Sequence, residues 1–429
     1  MSRNCETSTA GNRCEPRRGE SAAAVPMTAR KPSATVTVPW SGRGCIYTEE
    51  EVATVANAMR TADPQTQGKY QVEFERAFAA YTGAAHAFAV TSCTAALELA
   101  ALLCRLKPTD EVIIPAHTFA ASAIPFARTG AKLRWADIDP DTRVVTADTI
   151  KPLLSARTRV LVVVHLYGLV CDMEPIMALA KEHRLVVVED AAQALGAQYR
   201  GRAAGTIGDF GCFSFHTHKN VTTLGEGGML TVASSKQAAL VPGLRHNGMR
   251  SYEEDRERYW VPAMSDVDFD IDGLWPYNFC LGEVQCALGT KMLQRLDAIA
   301  AQRAERAQRF MTALGNYPEL KFQQVPDGCG HSWHLLAARY DGQRWRRSRD
   351  EFMSDLAFSA GVRVAVQYRP LYRYPMFQKA GFGEAACPNA DRFFDNMVSF
   401  PFQQWMPEEQ FGLMASLVRE SLERMRAPH

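Results

Sequence analysis

Lys219 stands in Phe213-Ser214-Phe215-His216-Thr217-His218-Lys219-Asn220, just ahead of Gly225-Glu226-Gly227-Gly228, and Glu189-Asp190 closes an apolar run, Leu185-Val186-Val187-Val188, upstream of it. A lysine amine condenses with an aldehyde to an imine. A strand-end carboxylate keeps a pyridine nitrogen protonated, so that the ring accepts the electron pair left by a departing proton. These are the needs of pyridoxal phosphate chemistry, with Lys219 as the imine-forming amine and Asp190 as partner of the ring nitrogen. Each alone has a plainer explanation, since most lysines are solvated and an acid at such a position also caps a following helix. Ser214 narrows the choice: it lies on the predicted strand that ends just before Lys219, so a hydroxyl suited to a phosphate oxygen and an amine leave one strand end together.

Other segments extend this set. Thr91-Ser92-Cys93-Thr94-Ala95 joins a strand to a helix, where free amides and the positive helix terminus receive phosphate and Thr94 adds a hydroxyl; an ordinary helix cap explains it equally well in isolation. Pro115-Ala116-His117-Thr118-Phe119 follows another strand and offers two rings for stacking on a planar ligand, Phe119 first and His117 as its substitute, with core packing the alternative for either. Ala191-Ala192-Gln193 leaves the Asp190 strand over small residues that permit close approach of a flat ring. His216 and His218 share a face, yet no third ligand is spaced to join them, so no metal is expected. The glycines at 225, 227 and 228 open no dinucleotide-type helix and read as a tight turn into the strand Met229 to Val232.

The elements that must position these residues alternate. Tyr70 to Tyr81 and Thr94 to Leu106 have helical periodicity, and Ala85–Val90, Glu111–Ile114, Lys132–Ala136, Val160–His165, Leu185–Val188, Gly211–Phe215 and Met229–Val232 are short apolar runs. Such alternation predicts an α/β fold with a mostly parallel sheet covered on both faces and its site at the carboxyl ends of the strands. A long helix over Leu281–Leu314 leads into a smaller C-terminal α+β domain. The expected division is a disordered extension over 1–40, a large domain over 41–300 and a small one over 301–429, with Met27 as an alternative start.

Bulk composition sets limits. The chain has 429 residues, 47% hydrophobic and 22% charged, enough for two globular domains. Its net charge of +1 supplies no field for nucleic acid or an anionic membrane, and the apolar run at Val160–Val170 is too short to span a bilayer. Eleven cysteines with no Cys-x-x-Cys pair describe neither a disulfide framework nor a zinc site; they are expected to be reduced and the protein cytoplasmic.

Gln67-Gly68, Phe74-Glu75, Thr94-Ala95-Ala96-Leu97, Asp110-Glu111-Val112-Ile113, Val188 to Gln193, Ser214-Phe215, Lys219-Asn220 and Gly225 to Gly228, followed by Tyr368-x-Pro370-Leu371, Cys387 to Asp391 and Ser399-Phe400-Pro401, resemble the DegT/StrS-type sugar aminotransferases from about residue 45 to 415. The resemblance implies a fold-type-I pyridoxal phosphate enzyme, homodimeric, with active sites formed between subunits. It further implies Lys219 as the Schiff-base lysine, Asp190 at the ring nitrogen, Gln193 near the phenolic oxygen, and Ser214, Thr94 and Ala95 at the phosphate. Asn278, in Trp275-Pro276-Tyr277-Asn278, matches the position from which the second subunit reaches that phosphate. The implied reaction moves an amino group from L-glutamate or L-glutamine to a keto-sugar, nucleotide-linked, by ping-pong steps through pyridoxamine phosphate; a cyclitol ketone is the alternative acceptor. Relatives that dehydrate sugars carry histidine in place of the lysine, so Lys219 argues for transamination, and a non-catalytic role fits poorly with an intact Asp190, Ser214 and Lys219. Arg245 to Gly248 and the Trp275–Asn278 loop are candidates for the acceptor wall. Two departures stand out: Cys93 where the family mostly has glycine, and His216-Thr217-His218 before the lysine.

Overall fold

A computed structural model describes residues 35–249 and 270–428, so the expectation for residues 1–34 lies outside the described residues. The main sheet has seven strands: β1 (His86–Val90), β2 (Glu111–Pro115), β3 (Lys132–Ala136), β4 (Thr158–Val164), β5 (Val186–Asp190), β6 (Phe210–Ser214) and β7 (Gly228–Val232). They lie in the order β1-β7-β6-β5-β4-β2-β3. Strands β2 to β6 pair in parallel, while β7 runs antiparallel to both β6 and β1. Val160 to Val164 and Val187 to Val188 are buried without alternation because helices cover both faces. Register sets the chemistry, since Asp190 pairs with Val164 on one side and Cys212 on the other. Asp190 and Ser214 therefore end adjacent strands on the same edge of the sheet.

Helices α1 (Glu49–Thr61), α2 (Lys69–Thr82), α3 (Cys93–Leu103), α4 (Met173–His183), α5 (Glu283–Leu293) and α6 (Leu296–Ala313) contribute to the cover. The helix expected over Leu281–Leu314 is thus two, broken at Gln294-Arg295. Arg295 stands at the break, with a non-helical backbone at φ −113° and ψ 10°. Its guanidinium reaches back to α1, with Nε 2.6 Å from Glu51 Oε1 and Nη2 2.7 Å from the Ile46 carbonyl oxygen. Helix α2 starts at Gly68 with no side chain of its own to cap it; buried Glu283 does so from α5, accepting the amides of Gly68, Tyr70 and Gln71 at 2.9, 2.8 and 3.2 Å.

The C-terminal part holds an antiparallel sheet of β8 (Leu320–Phe322), β9 (Leu336–Tyr340) and β10 (Met397–Phe400), with α7 (Arg349–Phe358) and α8 (Glu408–Arg426). Its core is a separate cluster around Phe310, Tyr340, Phe352, Phe400 and Val418. Residues 35–40, expected to belong to the unstructured extension, instead carry Val38 into this cluster, where the amides of Thr37 and Val38 donate to the Gly361 carbonyl at 3.0 and 3.1 Å. An apolar side chain with backbone partners is held where composition alone predicted freedom.

Candidate active site

The carboxyl ends of β5 and β6, the start of α3 and the junction with the C-terminal sheet enclose a cavity of about 370 Å³. Asp190, Gln193, Ser214, Thr94, Phe119 and Lys219 all line it. Asp190 is buried and fixed at both oxygens: Ser122 Oγ donates to Oδ2 at 2.6 Å, and the Ala192 amide donates to Oδ1 at 3.1 Å. Cys93 Sγ lies 3.9 Å from Oδ1, and burial pushes its thiol well up, so it stays protonated beside the carboxylate. Lys219 is half-buried, its amide held by the His216 carbonyl at 2.8 Å. Burial pulls its ammonium below the usual lysine value, with Cys93 and Asp190 acting in the opposite direction. A lysine so placed gives up its proton more readily and becomes a nucleophile.

Behind Asp190, Glu189 points to the other side of the strand and is fully buried. It takes His165 Nε2 at 2.8 Å and the amides of Gly205, Ile207 and Gly208 at 2.8, 2.6 and 2.6 Å. Burial by itself raises its carboxyl, but the His165 hydrogen bond and charge and the Gly208 and Gly205 amides outweigh that and hold it below the ordinary carboxylate value. A carboxylate with a depressed folded value contributes stability at pH above its unfolded value and loses it as pH falls through the lower folded one. Glu189→Gln should therefore cost at least about 2 kcal/mol at neutral pH, read from the denaturant midpoint. It should also flatten the loss of stability seen in the wild type below about pH 4.5, the ordinary carboxylate value. An unchanged acid limb would contradict this.

The α3 end of the cavity is built by close backbone approach. Ser92 caps α3 by accepting the Ala95 amide at 3.1 Å, which leaves the first-turn amides of Cys93 and Thr94 for an anion. Gly228 makes room, since a Cβ there would stand 2.4 Å from the Ser92 carbonyl carbon. Ala95 itself sits one residue behind the cavity wall. Gln193 accepts the Tyr167 amide at 2.6 Å and donates to the Tyr368 hydroxyl at 3.1 Å, which fixes its side chain beside the Asp190 end of the cavity. Phe119 is exposed to the cavity and meets Tyr368 edge-on, ring centres 5.8 Å apart. His117 is fully buried instead, 2.7 Å from the Tyr167 hydroxyl, and burial lowers it to about 3, so of the two rings Phe119 faces the cavity.

Other residues singled out in the sequence lie outside the cavity of this chain or at its mouth. Asn278 is exposed outside the cavity of its own chain, bridged to His246. Arg245 is buried and paired with Glu75 at 2.5 Å, a packing role rather than an acceptor wall. His216 and His218 lie at the cavity mouth with ring centres 4.9 Å apart, and among the described residues no three His, Cys, Asp or Glu side chains gather as a metal site. The structure also adds residues to which the sequence reading gave no place in the site. Ser122 holds Asp190, and Tyr368, His334 and Arg303 line the cavity from the C-terminal part. Trp40 to Gly44 cross over the lysine loop, with the Gly44 amide 2.7 Å from the Thr217 carbonyl and room only for glycine at 44, where a Cβ would meet the Lys219 carbonyl oxygen at 2.2 Å.

The donor set fits pyridoxal phosphate: a carboxylate for the ring nitrogen, an amine for the aldehyde, free amides and hydroxyls for the phosphate, and an aromatic face. With the parallel sheet, these define a fold-type-I pyridoxal-phosphate-dependent aminotransferase. The chain belongs to the DegT/DnrJ/EryC1/StrS aminotransferase family, whose pattern matches residues 46–418. It is 35% identical over 373 residues to the spore coat polysaccharide biosynthesis protein SpsC of Bacillus subtilis, covering 87% of this chain and 94% of that one. It is also 35% identical over 327 residues to the GDP-perosamine synthase of Caulobacter vibrioides, covering 75% and 82%. Among solved structures it superposes on an aminotransferase from Psychrobacter cryohalolentis with a TM-score of 0.82 at 26% identity, covering 91% of this chain and all of that one.

Proposed function

We propose that this aminotransferase moves an amino group from L-glutamate or L-glutamine to a keto-sugar, nucleotide-linked, in two successive half-reactions, and works as a homodimer. The observation that carries the reading is the convergence of Lys219, Asp190 and the open start of α3 on one cavity. When bound, pyridoxal phosphate supplies an aldehyde that exchanges amines and a ring that stores an electron pair. Asp190, locked by Ser122 and the Ala192 amide, keeps the ring nitrogen protonated. Lys219 as a free amine would take the proton from the donor's α-carbon onto Nζ and give it up again, and would act in the reverse sense for the acceptor. Thr94, Ser214 and the amides of the α3 start would hold the phosphate, and Phe119 would offer an aromatic face to the ring.

The likeness to the GDP-perosamine synthase supports a nucleotide-linked acceptor. A dimer is supported by apolar side chains left exposed in the single chain: Val52 and Met59, two turns apart on α1, and Trp275, which is 86% exposed beside Asn278. The reading is tested by loading the purified protein with pyridoxal phosphate and adding L-glutamate or L-glutamine separately. One of them should discharge the visible cofactor band and yield its 2-oxo acid; a band untouched by both would refute these donors.

A further inference from the structure

His334 precedes β9 and is 5% exposed, yet its imidazole makes no hydrogen bond to any described residue and lines the same cavity as Lys219. A polar ring that is nine-tenths buried without a partner carries a desolvation cost unless a ligand completes it. Its main chain is held firmly, because Arg303 Nη2 donates to the His334 carbonyl at 2.7 Å.

Arg303 is itself unusual. It is 2% exposed, and it meets only uncharged oxygens: Trp333 O at 2.6 Å from Nε, Gln404 Oε1 at 2.9 Å from Nη1, and His334 O and Phe402 O at 2.7 and 3.1 Å from Nη2. No carboxylate among the described residues pairs with it. Burial without an acid, with Arg306 adding to it, lowers it to about 9. The two acids on the cavity wall are engaged elsewhere, Asp190 by Ser122 and Glu226 at the mouth 3.7 Å from His216. This end of the cavity therefore holds positive charge and an unfilled hydrogen-bonding ring but no anion.

We propose that His334 and Arg303 form the subsite for the α-carboxylate of the amino-acid donor, with His334 donating to it and Arg303 supplying the opposing charge. The inference rests on the amino-acid donor proposed above. It also suits a site that must take two unlike substrates in turn. The donor bears a carboxylate next to its reacting carbon, whereas a keto-sugar bears a hydroxyl-carrying carbon there. An arginine fork aimed at the ligand would be stranded by the sugar. A neutral imidazole is both donor and acceptor, so it serves the carboxylate in one half-reaction and a hydroxyl in the other. Burial, with Lys219, Arg303, His218 and His331 nearby, keeps the His334 ring uncharged.

The test compares L-glutamate with its α-amide, L-isoglutamine, as consumers of the visible band of the cofactor-loaded protein, in wild type, His334→Asn and Arg303→Lys. A charged hydrogen bond of this kind gives roughly a tenfold or greater preference for L-glutamate in wild type. His334→Asn should bring the two half-saturating concentrations together while the band itself is unchanged. Calorimetric titration with glutarate, which cannot react, should show the same loss of affinity. A preference for L-glutamate retained in a cofactor-loaded His334→Asn protein overturns the subsite, and this variant decides even if Arg303→Lys does not fold. A wild type that discharges its band with both compounds equally overturns the subsite but leaves the aminotransferase reading standing. A wild type that responds to neither of these nor to L-glutamine removes the donor reading and the subsite with it.

Discussion

Lys219→Ala should lose turnover by on the order of 1,000- to 10,000-fold while still taking up pyridoxal phosphate. The reasons are local. The phosphate anchors proposed at the start of α3 and at Ser214 do not involve Lys219, and Asp190 is held by Ser122 and the Ala192 amide rather than by the amine. The cavity therefore keeps its shape and its affinity for the ring and phosphate. What disappears is the lysine amine, the only one lining the cavity among the described residues, which burial has brought closer to its neutral, nucleophilic form. Added primary amines of small size should restore part of the lost rate, because they fill the space the side chain leaves; a variant that had merely unfolded would gain nothing. Turnover near the wild-type level in Lys219→Ala would remove the amine from the chemistry.

Asp190→Asn is the second large effect, about 100- to 1,000-fold in turnover, comparable to removing one preorganised electrostatic partner of a transition state. Asparagine keeps the shape: its Oδ1 still accepts the Ala192 amide, and its Nδ2 donates to Ser122 Oγ, whose hydroxyl turns to Thr118 Oγ1 at 2.9 Å, so folding and cofactor binding should change little. It carries no charge, so the ring nitrogen is no longer kept protonated and the electron pair from the α-carbon has a poorer destination. The check is a spectroscopic pH titration of the loaded variant alongside its rate. The rate should fall with the cofactor still bound and its band shifted. An unaltered rate with bound cofactor would show that Asp190 only positions the loop.

How much of this could be read from the chain depended on how locally each feature is written. The strands were legible because parallel strands buried on both faces leave unbroken valine runs, and Lys132–Ala136 has the same bounds in sequence and structure. Strand ends then located Asp190, Ser214 and Thr94. The break at Gln294-Arg295 was not legible, since neither glycine nor proline marks it and the non-helical backbone at Arg295 leaves no trace in residue type. Ser122 sits in a three-residue helical turn without periodicity, and only the fold brings it to Asp190. His334 and Arg303 are more than 80 residues from Lys219 and enter the cavity because the C-terminal sheet packs over it; nothing in their own neighbourhoods marks them. His117 and Phe119 were told apart only by which ring the turn after β2 directs inward.

The most direct test of the central claim is to reduce the cofactor-loaded protein with borohydride, digest it and locate the pyridoxyl-bearing residue by mass spectrometry. The label should fall on Lys219 alone and be absent from Lys219→Ala. A label on another lysine, or an unlabelled protein whose visible band had been present before reduction, would contradict the assignment.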